Sequence, residues 1–258
     1  MTTTIAISSQ KGGVAKTTTC LSLGASLAER GFSVLLIDID PQANLTMSLG
    51  IEPELQRHTV GDVLLEQNSL VAVSHEGPML NLDMVPANQG LVVLDKVLYG
   101  RNGYEHRLKD QLNMLERNLY DFVLIDCPPS FGTLTLNALT AADRLIIPVQ
   151  CEYYAARAMR PILKLVHLVR RKTNPHLAYR VLVTMYDRRN KISQLILDQI
   201  QSKFHSALFE TIIEIDTKLR ESPTVGLPIN LYAPRTRGAQ QYRALAEELM
   251  NDEKETTD

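Results

Sequence analysis

The stretch Thr-Ile-Ala-Ile at 4–7 runs through Ser8, Ser9, Gln10 and Lys11 into a glycine pair, Gly12 and Gly13. It then reaches Lys16, Thr17, Thr18 and Thr19 at the head of an apolar-periodic segment. A strand, a glycine-rich turn and a helix start aim backbone N–H groups at one point, where the helix dipole adds partial positive charge. Lys16 and Thr17 are then the ammonium for β/γ-phosphates and the hydroxyl for Mg²⁺. The strict pattern G-x-x-x-x-G-K-[ST] nevertheless fails, because Gln10 and Ala15 stand where its two glycines belong. Lys11 is a further cation that the pattern does not require.

The spacing predicts a helix over 17–30, with Gly31 as its stop. The run at 34–40, Val-Leu-Leu-Ile-Asp-Ile-Asp, is continuous and apolar and closes on two acids, as expected of a strand buried on both faces. Runs at 82–86, 122–126, 145–149, 180–184 and 211–215 repeat that form. Helical periodicity fills 60–66, 91–98, 103–118, 132–141, 155–171, 191–204 and 237–250, while 50–60 and 70–80 read as surface connections. Strands alternating with helices predict an α/β fold with a doubly wound, mostly parallel sheet covered by helices on both faces. The phosphate loop, Asp40 and Asp126 would converge at the carboxyl ends of its strands. A chain of 258 residues fits one such domain, here 1–250, followed by a polar, acidic tail at 251–258 that reads as disordered.

Cys20, Cys127 and Cys151 have no C-x-x-C spacing and each adjoins an apolar run, so they read as core residues of a cytoplasmic protein. No stretch approaches the ~18 apolar residues of a membrane span. Net charge is −2, but its distribution is uneven: between 153 and 191 ten Lys and Arg face one acid, Asp187. That block is strongly basic.

Phosphoryl transfer from a nucleotide needs phosphate positioning, a metal, charge neutralisation and an oriented water. Gly12 and Gly13 can approach phosphates, Asp126 fits the strand-end acid that holds a metal-bound water, and Asp40 fits a residue orienting the attacking water. Asp38 either touches the metal shell or caps the strand end.

The segments Lys11-Gly-Gly-Val-Ala-Lys-Thr-Thr-Thr, Asp38-Ile-Asp-Pro-Gln-Ala-Asn, Tyr120-Asp-Phe-Val-Leu-Ile-Asp-Cys-Pro-Pro and Pro148-Val-Gln-Cys-Glu-Tyr-Tyr resemble the deviant Walker ATPases of the ParA/MinD family, which have the P-loop NTPase fold. Thr184-Met-Tyr-Asp, Glu221-Ser-Pro and the run from Gly238 to Leu249 resemble its ParA (Soj-like) branch, of which the carboxysome-positioning McdA-like proteins are relatives. The resemblance implies ATP and Mg²⁺ as cofactors. It also implies a sandwich homodimer in which Lys11 reaches the partner's phosphates, while Gly12, Gly13, Val14, Ala15, Lys16, Thr17 and Thr18 hold the nucleotide. Lys11, Lys16, Asp40 and Asp126 would carry catalysis, and Thr17, Asp38 and Asp126 the metal. Two departures stand out. Ala15 replaces a usual glycine and is expected to fit only with negative φ. Glu214-Ile-Asp216 replaces a Pro-Arg-Asn-like stretch near the base, which leaves Thr184 and Met185 as candidate walls of that pocket.

The branch implies DNA binding without sequence preference, through Lys and Arg contacts to phosphate. Arg188, Arg189, Lys218 and Arg220 are the candidates here. Arg157, Arg160, Lys164, His167 and Arg171 form a second stripe, which reads equally as a solvated helix face, with Pro161 interrupting it unless it sits in the first turn. The implied protein is nucleoid-associated, positions a chromosome, plasmid or carboxysome, and is stimulated by a ParB-like adaptor. A MinD-like membrane regulator would need a basic amphipathic C-terminus, whereas this chain ends in acids. A metal-cluster carrier would need paired cysteines.

Overall fold

The computed structural model describes residues 2–153 and 155–257, without the side chains of Ala156 and of 253–257. The strands are β1 (Thr3–Ile7), β2 (Val34–Asp38), β3 (His75–Glu76), β4 (Leu82–Val85), β5 (Phe122–Asp126), β6 (Arg144–Gln150) and β7 (Ala178–Thr184). They form one sheet in the order β3-β4-β2-β5-β1-β6-β7, parallel except where the edge strand β3 meets β4. Every residue of β2 and β5 is buried, which is why both read as unbroken apolar runs. Register pairs Ile7 with Asp126 and Asp126 with Asp38, so three adjacent strands end level and their terminal acids meet.

The helices are α1 (Lys16–Glu29), α2 (Asn44–Met47), α3 (Val60–Leu64), α4 (Leu70–Val73), α5 (Leu91–Leu98), α6 (Arg107–Asn113), α7 (Thr133–Ala141), α8 (Ala155–Ala158), α9 (Arg160–Lys172), α10 (Lys191–Phe204), α11 (Lys218–Glu221), α12 (Ile229–Tyr232) and α13 (Arg237–Thr257). On one face of the sheet, α1 and α13 bury Leu23, Leu27, Tyr242 and Leu245 with Ile5, Leu36 and Leu124. On the other, α3, α5, α7, α9 and α10 cover Leu35, Val123 and Ile147. Gly24 lets α1 lie close to β2, since a Cβ there would meet Leu36 Cδ2 at 2.6 Å. Gly31 stops α1 as expected, with φ +91°.

Three expectations are corrected. The run at 211–215 is not a strand. Phe209 N–H bonds Val181 O at 2.9 Å and Ile213 N–H bonds Val183 O at 2.9 Å, so four residues oppose two and no regular ladder can form. The N–H groups of Glu210 and Thr211 go instead to the Glu248 carboxylate on α13, at 2.7 and 2.9 Å. The helix foreseen over 155–171 breaks at Met159, and Pro161 sits in the first turn of α9, where its missing N–H is harmless. The segment from Asn251, expected to be disordered, continues α13 to Thr257, while Asp258 lies outside the described residues. Asp252 is tied down by Arg144 at 3.6 Å and by a close pair with Arg180.

Arg180 also pairs with Glu248 at 3.1 Å and lies 4.3 Å from the Phe209 ring centroid, so it fastens α13 to β7. Arg180→Ala leaves two mostly buried carboxylates short of a partner and is expected to cost about 2 kcal/mol. Calorimetry should show Tm lowered by roughly 5 °C.

Candidate functional site

The loop between β1 and α1 is braced from behind. Thr184 Oγ1 donates to Val14 O at 3.0 Å, and Gln150 Nε2 donates to Gly13 O at 2.9 Å. With those carbonyls held, the first-turn N–H groups of α1 have no intrahelical acceptor and remain for a ligand. Thr184, expected as a pocket wall, is fully buried and acts as this brace. Val14, expected to hold nucleotide, is buried behind the loop. Met185 alone of the two wall candidates lines the cleft.

Ala15 corrects another expectation. Its φ is +64° and ψ +36°, left-handed, at the cap of α1 with no side-chain hydrogen bond. An L-residue there bears about 1 kcal/mol of strain. The backbone path that the loop needs is therefore kept without the glycine that makes it easy.

Thr17 Oγ1 donates to Asp126 Oδ2 at 2.6 Å. Asp126 is fully buried, and its Oδ1 has no hydrogen-bond partner. Burial, then the charge of Asp38, pushes its carboxyl well above the usual range, against the Thr17 hydroxyl and the Lys16 ammonium. A carboxylate oxygen left bare beside a hydroxyl fits a hard divalent cation with oxygen ligands, and such a cation would offset the repulsion between the carboxylates. Asp38 is engaged differently. Its Oδ2 accepts from Thr46 N at 2.9 Å and Thr46 Oγ1 at 2.8 Å, and its Oδ1 accepts from Asp40 N at 3.0 Å. Burial pushes its carboxyl up to about 7 despite those donors. Asp38 thus anchors the start of α2. Asp40 faces the cleft, its Oδ1 accepting from Gln42 N at 2.9 Å.

Gly12, Gly13, Ala15, Lys16, Thr17, Thr18 and Asp40 line a cleft of about 400 Å³ whose far wall is Met185, Ile213 to Asp216, Leu219 and Arg220. The size suits a mononucleotide. Gln42, Asn44 and Tyr242 also line it and escaped sequence reasoning, although Gln42 and Asn44 lie in the run after Asp40. Tyr242 reaches the cleft only because α13 folds back across α1, where its hydroxyl meets Thr19 Oγ1 at 3.1 Å.

A family profile described as an AAA domain matches residues 2–179. The sporulation initiation inhibitor protein Soj of Bacillus subtilis is 43% identical over 95% of this chain and 97% of its own. The chromosome partitioning protein ParA of Myxococcus xanthus is 40% identical over 95% and 87%. The chain belongs to the ParA/MinD family of ATPases. In three dimensions it is similar to a structure of Mycobacterium smegmatis cobyrinic acid a,c-diamide synthase with bound ATP analogue and magnesium, at TM-score 0.86 and 36% identity over 98% of this chain and 96% of that one. It is an ATP-hydrolysing P-loop enzyme.

The placement of Lys11 in this ATPase is distinctive. Its Nζ donates to Gln150 Oε1 at 2.9 Å and pairs with Glu152 at 2.6 Å, outside the cleft of its own chain. The basic candidates are likewise paired. Arg189, itself exposed, holds the partly buried Asp187 at 3.2 Å, Lys218 holds Glu221 at 2.6 Å with both about half-exposed, and Arg188 holds Glu214 at 2.6 Å. Arg220 lines the cleft and is exposed. Arg160, Lys164, His167 and Arg171 share an exposed face of α9, and the break at Met159 sets Arg157 apart on α8.

Ala15→Gly relieves the left-handed strain and is expected to stabilise the nucleotide-free protein by about 1 kcal/mol, read as a raised thermal midpoint.

Proposed function

We propose that the protein is an ATP- and Mg²⁺-dependent dimerising ATPase whose ATP-bound form binds DNA without sequence preference and positions a DNA cargo, its turnover stimulated by an adaptor protein. One observation carries the reading: Lys11, the extra cation of the loop, is turned out of its own cleft toward Gln150 and Glu152. A lysine so placed serves a second copy of the chain rather than its own nucleotide, which links dimerisation to nucleotide state.

Within one cleft Lys16 would meet the β/γ-phosphates, and the first turn of α1 would present N–H groups to them. Thr17 and Asp126 would hold the metal, which when bound would neutralise phosphate charge. Asp40, at the cleft edge, orients the attacking water. The partner's Lys11 adds charge neutralisation as the phosphate bond breaks.

Two relatives named for chromosome partitioning and sporulation control support a chromosomal cargo and a nucleoid-associated protein. Arg189 and Lys218 suit DNA because their ion pairs are partly open to water and therefore weak, so phosphate competes for them. A membrane-bound regulator is the poorer reading. Tyr242, Leu245, Ala246 and Leu249 of α13 are buried in the core, so its apolar side chains are spent on packing rather than left for lipid, and among the described residues no helix is long and apolar enough to cross a membrane.

Lys16→Ala is expected to abolish ATP binding, whereas Lys11→Ala retains binding and loses dimerisation and hydrolysis. Equilibrium dialysis beside sizing chromatography checks this, and a Lys11→Ala protein that dimerises and turns over normally removes the cross-subunit role. Charge reversal at both Arg189 and Lys218 should flatten the salt dependence of DNA retention by about 2 log units per log unit of salt, with ATP affinity unchanged.

A further inference from the structure

Glu214, on the wall of the cleft, has an unusual set of partners. Its side chain is only 4% exposed, yet it ion-pairs with two arginines that are largely in solvent, Arg188 at 74% and Arg237 at 61%, each at 2.6 Å. Gln241 completes the enclosure. Its Nε2 donates to Glu214 Oε1 at 3.1 Å, and its Oε1 accepts from Glu214 N at 2.9 Å. The same residue lines the nucleotide cleft, and its neighbours Ile213 and Ile215 are bonded to the backbone of Tyr186, two residues before Arg188. One buried carboxylate thus joins the cleft wall, the loop after β7 and the start of α13.

We propose that Glu214 is an internal counter-anion that withholds Arg188 and Arg237 from DNA in the nucleotide-free protein. The asymmetry of burial carries the argument. The arginines lose little on leaving, because water can solvate them, but their departure strands an ionised carboxylate in the interior, where an unpaired charge is strongly disfavoured. A DNA phosphate competing for these guanidiniums must overcome that penalty. Asp187 and Glu221, which hold Arg189 and Lys218, keep 31% and 43% of their side chains in solvent against 4% for Glu214, so the penalty for losing the partner is much smaller there. Two neighbouring basic groups are therefore available at once, and two are held back.

The inference rests on the DNA-binding reading, and the experiment separates the two. Retention of a fluorescein-labelled mixed-sequence duplex is measured by anisotropy against salt, for wild type with and without ATP and for Glu214→Gln without nucleotide. Glutamine keeps the shape and removes the charge. Freed arginines should make the nucleotide-free variant bind about tenfold more tightly at low salt and steepen the log–log slope by roughly 1.8, the value for two added phosphate contacts. Adding Arg188→Ala and Arg237→Ala to that variant should return the slope to that of wild type. Glu214→Asp, which shortens the carboxylate and loosens both pairs, should move binding the same way and serves if the glutamine variant folds poorly. If wild type binds DNA with ATP and the variants superimpose on nucleotide-free wild type, the counter-anion role is overturned while DNA binding stands. A steep slope that survives loss of both arginines overturns it as well. Absence of DNA binding in wild type with ATP and in every variant overturns both readings.

Discussion

The hydrogen bond from Thr17 to Asp126 joins the first turn of α1 to the last residue of β5, and the site depends on that junction. It holds only because parallel register brings the ends of β1, β2 and β5 level, and because Gly24 lets α1 lie against β2. Once closed, it leaves one oxygen of a fully buried carboxylate bare beside a hydroxyl. The charge repulsion gathered there by Asp38 and Asp126 is a liability in the empty protein and an attraction for a cation.

The loop itself shows how a tertiary frame overrides local preference. Ala15 adopts a left-handed conformation that its side chain disfavours, and the surrounding structure imposes it. Gln150 and Thr184 clamp the carbonyls of Gly13 and Val14, and Thr19 closes the first helical bond onto Ala15 O at 2.9 Å. The clamps come from the ends of β6 and β7, the strands beyond β1. Gln150 has a second task, since it also accepts from Lys11. Loop geometry and the position of the extra lysine are therefore coupled through one amide.

Much of this was legible in sequence. Continuous apolar runs closing on acids marked β2 and β5, because strands covered on both faces have no polar alternation to show. That Lys16, Thr17, Asp40 and Asp126 meet at one edge of the sheet was legible from their positions at strand and helix ends. The stretch at 211–215 misled because its composition is that of a strand, whereas its N–H groups are claimed by Glu248, a residue far along the chain. The acidic end misled because charge alone suggested solvent, and the arginines that hold Asp252 come from β6 and β7.

The sequence by itself determined the alternation of the main strands and helices through β7, the loop and the placing of its candidate groups at strand and helix ends, since these follow from periodicity and from chemistry carried by single residues. Only the tertiary structure decided what each charged group faces. It sent Asp38 to Thr46, Thr184 to the back of the loop, Lys11 to Glu152 and two arginines to Glu214. The physical reason is that hydrogen bonds and ion pairs act over a few ångströms in space between residues that chain order leaves far apart, and burial sets how strongly each partner is held.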